Sequence, residues 1–515
     1  MLMSWLRGRR SDHLLDDKQG ANTLLDELAG KDPIPALELV STYLDAVKTA
    51  ENLRPGRAFD IVDLLDRSGR PFERRLNQAL IAEGQRLTKF QQTRLWTTVH
   101  AYWTQLAEGY RFCLAKYEVG AVGASTLKPQ LPRIICRGMR ACAAQLKWTL
   151  LRYGPVEPQV WQDLGGMYLL AESLGCAQST LGIYRGARGE SSPERELLRA
   201  LMLAVSSPDG LLPAQIEIAE RVIAQLAGLF RLAPRPARGV HYIFELSGER
   251  PPGRLPANSR LTAGMRGFGA GEAAGEVERI MQFIDRNRAL PDDLTLGGDY
   301  DPALVQTTLR HLLRYWAPTL PQRKERRRRH VERVSVVHDY DEVVANVGGL
   351  FLESPFVSND EEWVIENESV GGLGAFVSQP HGAWLKVGNL IGIRREEGVC
   401  WGAGIVRRVT ADEQTHRHIG IEILAHGGAA VTVLPASTGA KDSHFPAQGE
   451  LCILLPSAAV RTGEATLLMR AGLFSPSRNL IMRAYDRQYL LLPLGLLESS
   501  DEFDLAHYRI FEQTR

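Results

Sequence analysis

Long apolar runs are missing from this 515-residue sequence. No stretch approaches the roughly 18 uninterrupted apolar residues a spanning helix needs, so no membrane span is expected. The basic start MLMSWLRGRR runs straight into SDHLLDDKQG, without the apolar core of a signal peptide. An excess of one charge is missing too: 61 Lys and Arg face 60 Asp and Glu, leaving a formal charge of +1. Nucleic acid or anionic membrane therefore has no global electrostatic attraction to the chain, and only a local cluster could supply one. Cysteines are few: Cys113, Cys136, Cys142, Cys176, Cys400 and Cys452. They form no CxxC pair and have no His at zinc-finger spacing, so they are expected to be buried small apolar residues in a reducing compartment. A cytoplasmic protein without metal or cofactor is the expectation.

Catalytic signatures are also missing. There is no GxxxxGK(S/T), HExxH or GxSxG, so phosphate-loop, zinc-protease and nucleophile-elbow chemistry have no support. The glycines of GMRGFGAGEAAG do not meet GxGxxG, and the segment is expected to be a loop. His416 and His418 fall on alternating positions of a β-type run, where a surface role is expected. Asp339, Asp341 and Glu342 look like a solvated turn. No catalytic residue is assigned, and a non-enzyme is expected.

What is present is helical periodicity. Between about residues 14 and 315, apolar residues recur at helical spacing, as in Leu37, Val40, Leu44 and Val47 behind an Asp32-Pro33 start. A second Asp-Pro start, Asp301-Pro302, opens DPALVQTTLRHLLRYW. Trp161, Leu164, Gly165 and Tyr168, followed by Ala171, reproduce the opening of a tetratricopeptide repeat. Small residues there would let a second helix pack closely. No copy follows at the 34-residue period of that repeat, so an irregular helical stack is expected rather than an array. Residues 1–232 are taken as a helical domain. Residues 233–316 form a mixed segment in which one strand-like run, HYIFEL, precedes returning helices.

Past Trp316 the texture changes. Residues 317–333 form a proline-flanked basic linker, and short β-type runs separated by glycines follow. Residues 334–435 are expected to form an antiparallel β-barrel, and residues 436–515 a β-rich extension. The fold class is thus α + β, multidomain: an irregular helical region followed by a C-terminal barrel with a β-rich tail.

Two local elements carry chemistry. Residues 323–333 hold seven basic side chains and two acidic ones, and Arg329-x3-Arg333 stands at the edge of the strand expected from Val334. Asn367-Glu368-Ser369-Val370-Gly371-Gly372 makes a turn in which Asn and Ser can bond their own backbone and Gly supplies positive φ. In this order the two resemble the PilZ family of cyclic diguanylate (cyclic di-GMP) receptors, whose signature is RxxxR followed by (D/N)xSxxG. Gly388-Asn389-Leu390-Ile391, Gly404-Ile405-Val406-Arg407 and Ile419-Gly420-Ile421-Glu422 fit further strands of that family. The resemblance spans about residues 325–430.

It implies a bacterial signalling receptor with a ligand site at Arg328, Arg329, Arg333, Asn367, Ser369, Gly371 and Gly372. Arg323-x3-Arg327 also satisfies the first half, and Arg329 with Arg333 is preferred because the family sets its last arginine against the strand. Arginine can fork onto a phosphate or guanine and can stack on a base, which lysine cannot do in all three ways. Asn367 and Ser369 offer short donors and acceptors, and Gly371 and Gly372 remove Cβ atoms at a close approach. The helical region would then relay binding to a protein partner. The alternatives are a nucleic-acid binder that uses the arginine run, which the balanced charge makes less favoured, and an adaptor whose barrel no longer binds.

Overall fold

The computed structural model describes residues 13, 15, 18–50, 52–83, 87–184, 189–256, 260–317, 319, 327–349, 360–378, 384–398, 400–414, 416–436, 449–456, 463–484 and 487–513. The chain divides into two compact units, Met1–Pro321 and Gln322–Arg515.

The first unit begins with α1 (Lys18–Ala29), α2 (Pro33–Thr49), α3 (Pro55–Glu83) and α4 (Lys89–Glu118). In α2 the expected face is buried (Ala36, Leu37, Val40, Leu44 and Val47), although Asp32 at the N-cap makes no side-chain cap bond. A reciprocal capping box starts α4, where Thr88 Oγ1 accepts from Gln91 N and Gln91 Oε1 from Thr88 N. Next come α5 (Leu131–Leu150), α6 (Pro158–Ser173), a short hairpin of β1 (Leu181–Gly182) and β2 (Glu190–Ser191), α7 (Pro193–Val205) and α8 (Pro213–Gln225). Four short strands follow: β3 (Arg231–Ala233), β4 (Tyr242–Glu245), β5 (Gly253–Arg254) and β6 (Met265–Gly269), in sheet order β3-β6-β4-β5. Helices α9 (Ala273–Asn287) and α10 (Pro302–Trp316) complete the unit, and Asp301 Oδ1 caps α10 by accepting from Ala303 N at 3.0 Å. One apolar core runs from Leu15 to Trp316, so the small sheet shares the core of the helices.

Three expectations are corrected here. Met265–Gly269 is a strand, not a loop. Its glycines serve a close backbone approach, because a Cβ at Gly269 would lie 2.1 Å from Gly239 O. The tetratricopeptide-like residues do lie buried on α6, but the neighbour at Gly165 is the backbone of Leu246, whose carbonyl oxygen would be 1.9 Å from an added Cβ. That small residue admits the chain after β4 rather than a second helix. Cys400 is exposed, whereas the other five cysteines are buried.

The second unit is built from β7 (Arg328–Val337), α11 (Tyr340–Val347), β8 (Glu361–Ser369), β9 (Gly372–Val377), β10 (Leu390–Arg395), β11 (Gly402–Ala411) and β12 (Arg417–Ala425). The six strands close into an antiparallel barrel in the order β10-β11-β12-β9-β8-β7. The tail supplies β13 (Ala429–Pro435), β14 (Glu450–Leu455), β15 (Glu464–Arg470), β16 (Leu480–Ala484), β17 (Arg487–Ser499) and β18 (Phe503–Glu512). These close a second barrel, β13-β14-β15-β18-β17-β16, which takes in residues 429–435. Asp339, Asp341 and Glu342 do not form a free turn: they open α11, whose Tyr340, Val343, Val344 and Val347 are buried at helical spacing. An apolar core joins α11 to both barrels, with Leu390, Trp401 and Ile405 from the first and Ile453, Leu468 and Phe503 from the second.

Candidate ligand-binding site

The sheet β7-β8-β9 sets the geometry. Strand β7 starts at Arg328 rather than Val334, so Arg328, Arg329 and Arg333 all lie on the strand and not ahead of it. Arg328 faces Glu368 and Arg329 faces Asn367 across the ladder, while Arg333 faces Val364. A bulge separates Arg329 from Glu332, and a second separates Ile365 from Asn367 where β8 meets β9. An added residue reverses which way the following side chains point. Both halves of the arginine pair therefore cannot keep the common face that i, i+4 spacing gives in a regular strand.

The structure brings Arg328 and Arg329 to the Asn367–Gly372 turn and leaves Arg333 beyond the bulge. Arg333 Nη1 instead donates to Glu362 Oε1 at 2.7 Å, with both side chains exposed. Arg327, just ahead of β7, donates from Nη1 to Asn367 Oδ1 at 2.8 Å. The Arg329 side chain has no hydrogen bond or ion pair among the described residues. Arg323 lies outside the described residues.

In the turn, Ser369 Oγ donates to Gly372 O at 3.2 Å and closes a hairpin whose tip, Val370, is 82% exposed. Neither Gly371 nor Gly372 has positive φ, contrary to expectation. An added Cβ at Gly371 meets nothing within 4 Å, while one at Gly372 would lie 2.8 Å from Ile421 O of β12. The constraint at Gly372 thus comes from closure of the barrel itself. The glycine that shapes the site is Gly374, where a Cβ would lie 2.6 Å from Asn367 Oδ1, so its missing side chain makes room for the amide.

Residues that the sequence did not single out complete the site. Arg395, at the end of β10, donates from Nη1 to Glu332 Oε2 at 2.7 Å and from Nη2 to Glu368 Oε2 at 2.6 Å. His330 Nε2 lies 2.9 Å from the same Glu332 oxygen. The Arg395 hydrogen bond holds the Glu368 carboxyl below its ordinary range, with the Arg328 charge adding to the effect. Around the turn, Arg327, Arg328, Arg329 and Arg395 face two carboxylates, Glu332 and Glu368. The local excess of two positive charges suits an anionic ligand. Forked N–H donors, an amide and a hydroxyl give that ligand directional partners.

Two histidines of the barrel are paired with carboxylates on its surface. His416 Nδ1 lies 2.9 Å from Asp412 Oδ2, and His418 Nδ1 lies 3.2 Å from Glu366 Oε2. Among the described residues no group of His, Cys, Asp and Glu could hold a metal ion. No described helix is long and apolar enough to cross a membrane.

Residues 19–237 match the family model described as "Cyclic-di-GMP receptor FimW, N-terminal domain". The match covers a little under half of the chain, from within α1 to just past β3, and ends before either barrel. No curated protein matches the chain.

Proposed function

We propose that the chain is a receptor for cyclic di-GMP, that its first barrel is of the PilZ type, and that the ligand binds at the β7–β8 end of that barrel. The observation that carries this reading is the pairing of Arg329 with Asn367 across neighbouring strands, which joins the two halves of the motif. The likeness of the helical part to a model named for a cyclic di-GMP receptor supports it independently, since it rests on other residues. The ligand carries two phosphodiester charges, which match the excess of two guanidiniums over carboxylates around the turn. Arg328 and Arg329 would fork onto phosphate or guanine, and Asn367 and Ser369 would read a base edge or a phosphate oxygen. Arg327 Nη1 donates to the Asn367 amide oxygen, so a ligand read by that oxygen would require the guanidinium to turn from the amide to the ligand. A cytoplasmic setting and relay to a protein partner through the helical unit belong to the same proposal, with the basic segment ahead of β7 as the link between the parts.

Calorimetric titration with cyclic di-GMP tests it. We expect saturable binding in the micromolar range, corresponding to about 8 kcal/mol. We expect Arg329→Ala to weaken it roughly tenfold or more, since charge-assisted bonds contribute about 1.5–3 kcal/mol each. Arg333→Ala, which removes an exposed surface pair, should cost less than Arg329→Ala. No saturable binding at tens of micromolar ligand (roughly 6 kcal/mol) would overturn the receptor reading.

A further inference from the structure

Among the described residues, two cavities of the helical unit differ in charge balance. The larger, about 540 Å³, lies between α3 and α8. Its floor is closed on itself: Glu217 accepts from Lys147 Nζ at 2.8 Å, from Arg221 Nε at 2.8 Å and from Asn77 Nδ2 at 2.9 Å. Asp299 and Asp301 stand at its rim. The smaller cavity, about 190 Å³, lies between α5, the β1–β2 hairpin, α7 and the end of α8, and three arginines line it: Arg140, Arg195 and Arg199.

Those arginines have too few carboxylates. Glu196, with no exposed surface, takes a forked pair of bonds from Arg140, 2.6 and 3.1 Å long, and a further bond from Arg199 at 3.2 Å. Ser191 Oγ donates to it at 2.6 Å. Burial alone would raise the Glu196 carboxyl, but Arg140 and Arg199 outweigh burial and hold it down at about 2. Arg199 also reaches Glu220 at 2.8 Å, and Glu220 is shared with Arg221. Arg195 has no ion pair among the described residues. Its guanidinium lies against Gly228, 3.4 Å from where a Cβ would stand, and its one hydrogen bond is a long one of 3.4 Å to Glu190 O. Arg199 Nε is buried and has no hydrogen-bond partner among the described residues. Glu190 itself is exposed at the rim.

Clustered guanidiniums without matching anions are costly away from water, and an oxyanion relieves that cost by accepting their N–H groups. Tetrahedral phosphate offers an acceptor to each converging arginine. The cavity is smaller than the roughly 300 Å³ at which pockets for whole drug-sized ligands begin. It accommodates a phosphate group, not a complete nucleotide.

We propose that this cavity is a second anion site, separate from the barrel, that binds a phosphate group, either free or as the terminal group of a phosphomonoester. Arg195 supplies the uncommitted charge, and Arg140 and Arg199 are held in place by Glu196. The test is phosphorus NMR titration of inorganic phosphate with the full chain, at constant ionic strength set by chloride. We expect saturable line broadening, an at least tenfold weaker response in Arg195→Ala, and an unchanged response in Arg329→Ala. Because Arg195 pairs with no described carboxylate, its removal leaves no buried anion exposed, and an unchanged melting temperature would certify the fold. Competition by GMP would identify a phosphomonoester as occupant, and its failure to compete would identify free phosphate. A response that rises without saturating overturns the proposal. So does Arg195→Ala binding as tightly as wild type, the outcome for a purely structural ion network. Loss of the signal in Arg329→Ala alone also overturns it, since phosphate would then sit on the barrel. Cyclic di-GMP titration of Arg195→Ala reports separately on the barrel.

Discussion

Single residues divide into those whose role follows from type and those whose role follows from a neighbour across a strand. Arg329, Asn367 and Ser369 can be named as candidates from the sequence because the chemistry of their side chains and their spacing are visible in one dimension. Arg327, Gly374 and Arg395 cannot, since their contacts to Asn367 and Glu368 depend on a ladder register that bulges shift. Buried acids were equally hidden, because Glu196 reads as a surface residue of the amphipathic α7 until α5 brings Arg140 to it. Its held-down carboxyl has a measurable consequence. A carboxylate depressed on folding stabilises the native state at a pH above its unfolded value, and that contribution is lost as pH falls towards the folded one. For Glu196 the window runs from about 4.5, its ordinary value, down to about 2. We expect Glu196→Gln to be less stable than wild type at neutral pH, with the gap narrowing through that window in denaturant melts. A gap that stays constant with pH would show that the Arg140 and Arg199 charges do not act on this carboxyl.

At the scale of elements, periodicity found the long helices and the barrel strands with side chains of alternating burial. It failed where local composition and tertiary role diverge. The β6 segment is glycine-rich because other backbone crosses it closely, and the eight-residue α11 is too short to announce a period against its β-rich surroundings. The expected start at Val334 misses the first six residues of β7, which are polar or exposed, yet Arg328, Arg329, Glu332 and Arg333 among them pair with β8. The bulge within that polar half sets which way the arginines of the proposed site point, and the 68% exposed Val331 lies in it. Deleting Val331 should regularise the ladder, keep Val334 and Val336 in the core, and turn Arg327, Arg328 and Arg329 away from their present side. We expect such a variant to melt as one folded barrel and to bind cyclic di-GMP at least about tenfold more weakly, about 1.4 kcal/mol. Unchanged affinity would mean that the arginines act as a diffuse positive field and not as placed donors.

Across the whole molecule, the tail is where sequence said least, because closure of the second barrel depends on pairings distant in the chain, β13 with β16 and β15 with β18. The two barrels are joined by more than the core around α11. Glu502 of the second accepts from Leu390 N at 3.0 Å and from Asn389 Nδ2 of the first. Arg407 of β11 forks onto Glu498 of β17, and Tyr340 Oη donates to Leu451 O at 2.9 Å. A shared core with ionic and backbone ties across it should make one cooperative unit of the two closed sheets. Phe503, fully buried in that core, tests this directly. Phe503→Ala should cost about 3–5 kcal/mol, the usual range for an aromatic truncated in a core. Amide hydrogen exchange of the full chain should then speed up in β10 and β11 as much as in β15 and β18. Faster exchange confined to the tail would make the second barrel an independent domain. Faster exchange in both would mean that anything docking on the second barrel bears on the stability of the first, and so on the frame that holds Arg329 opposite Asn367.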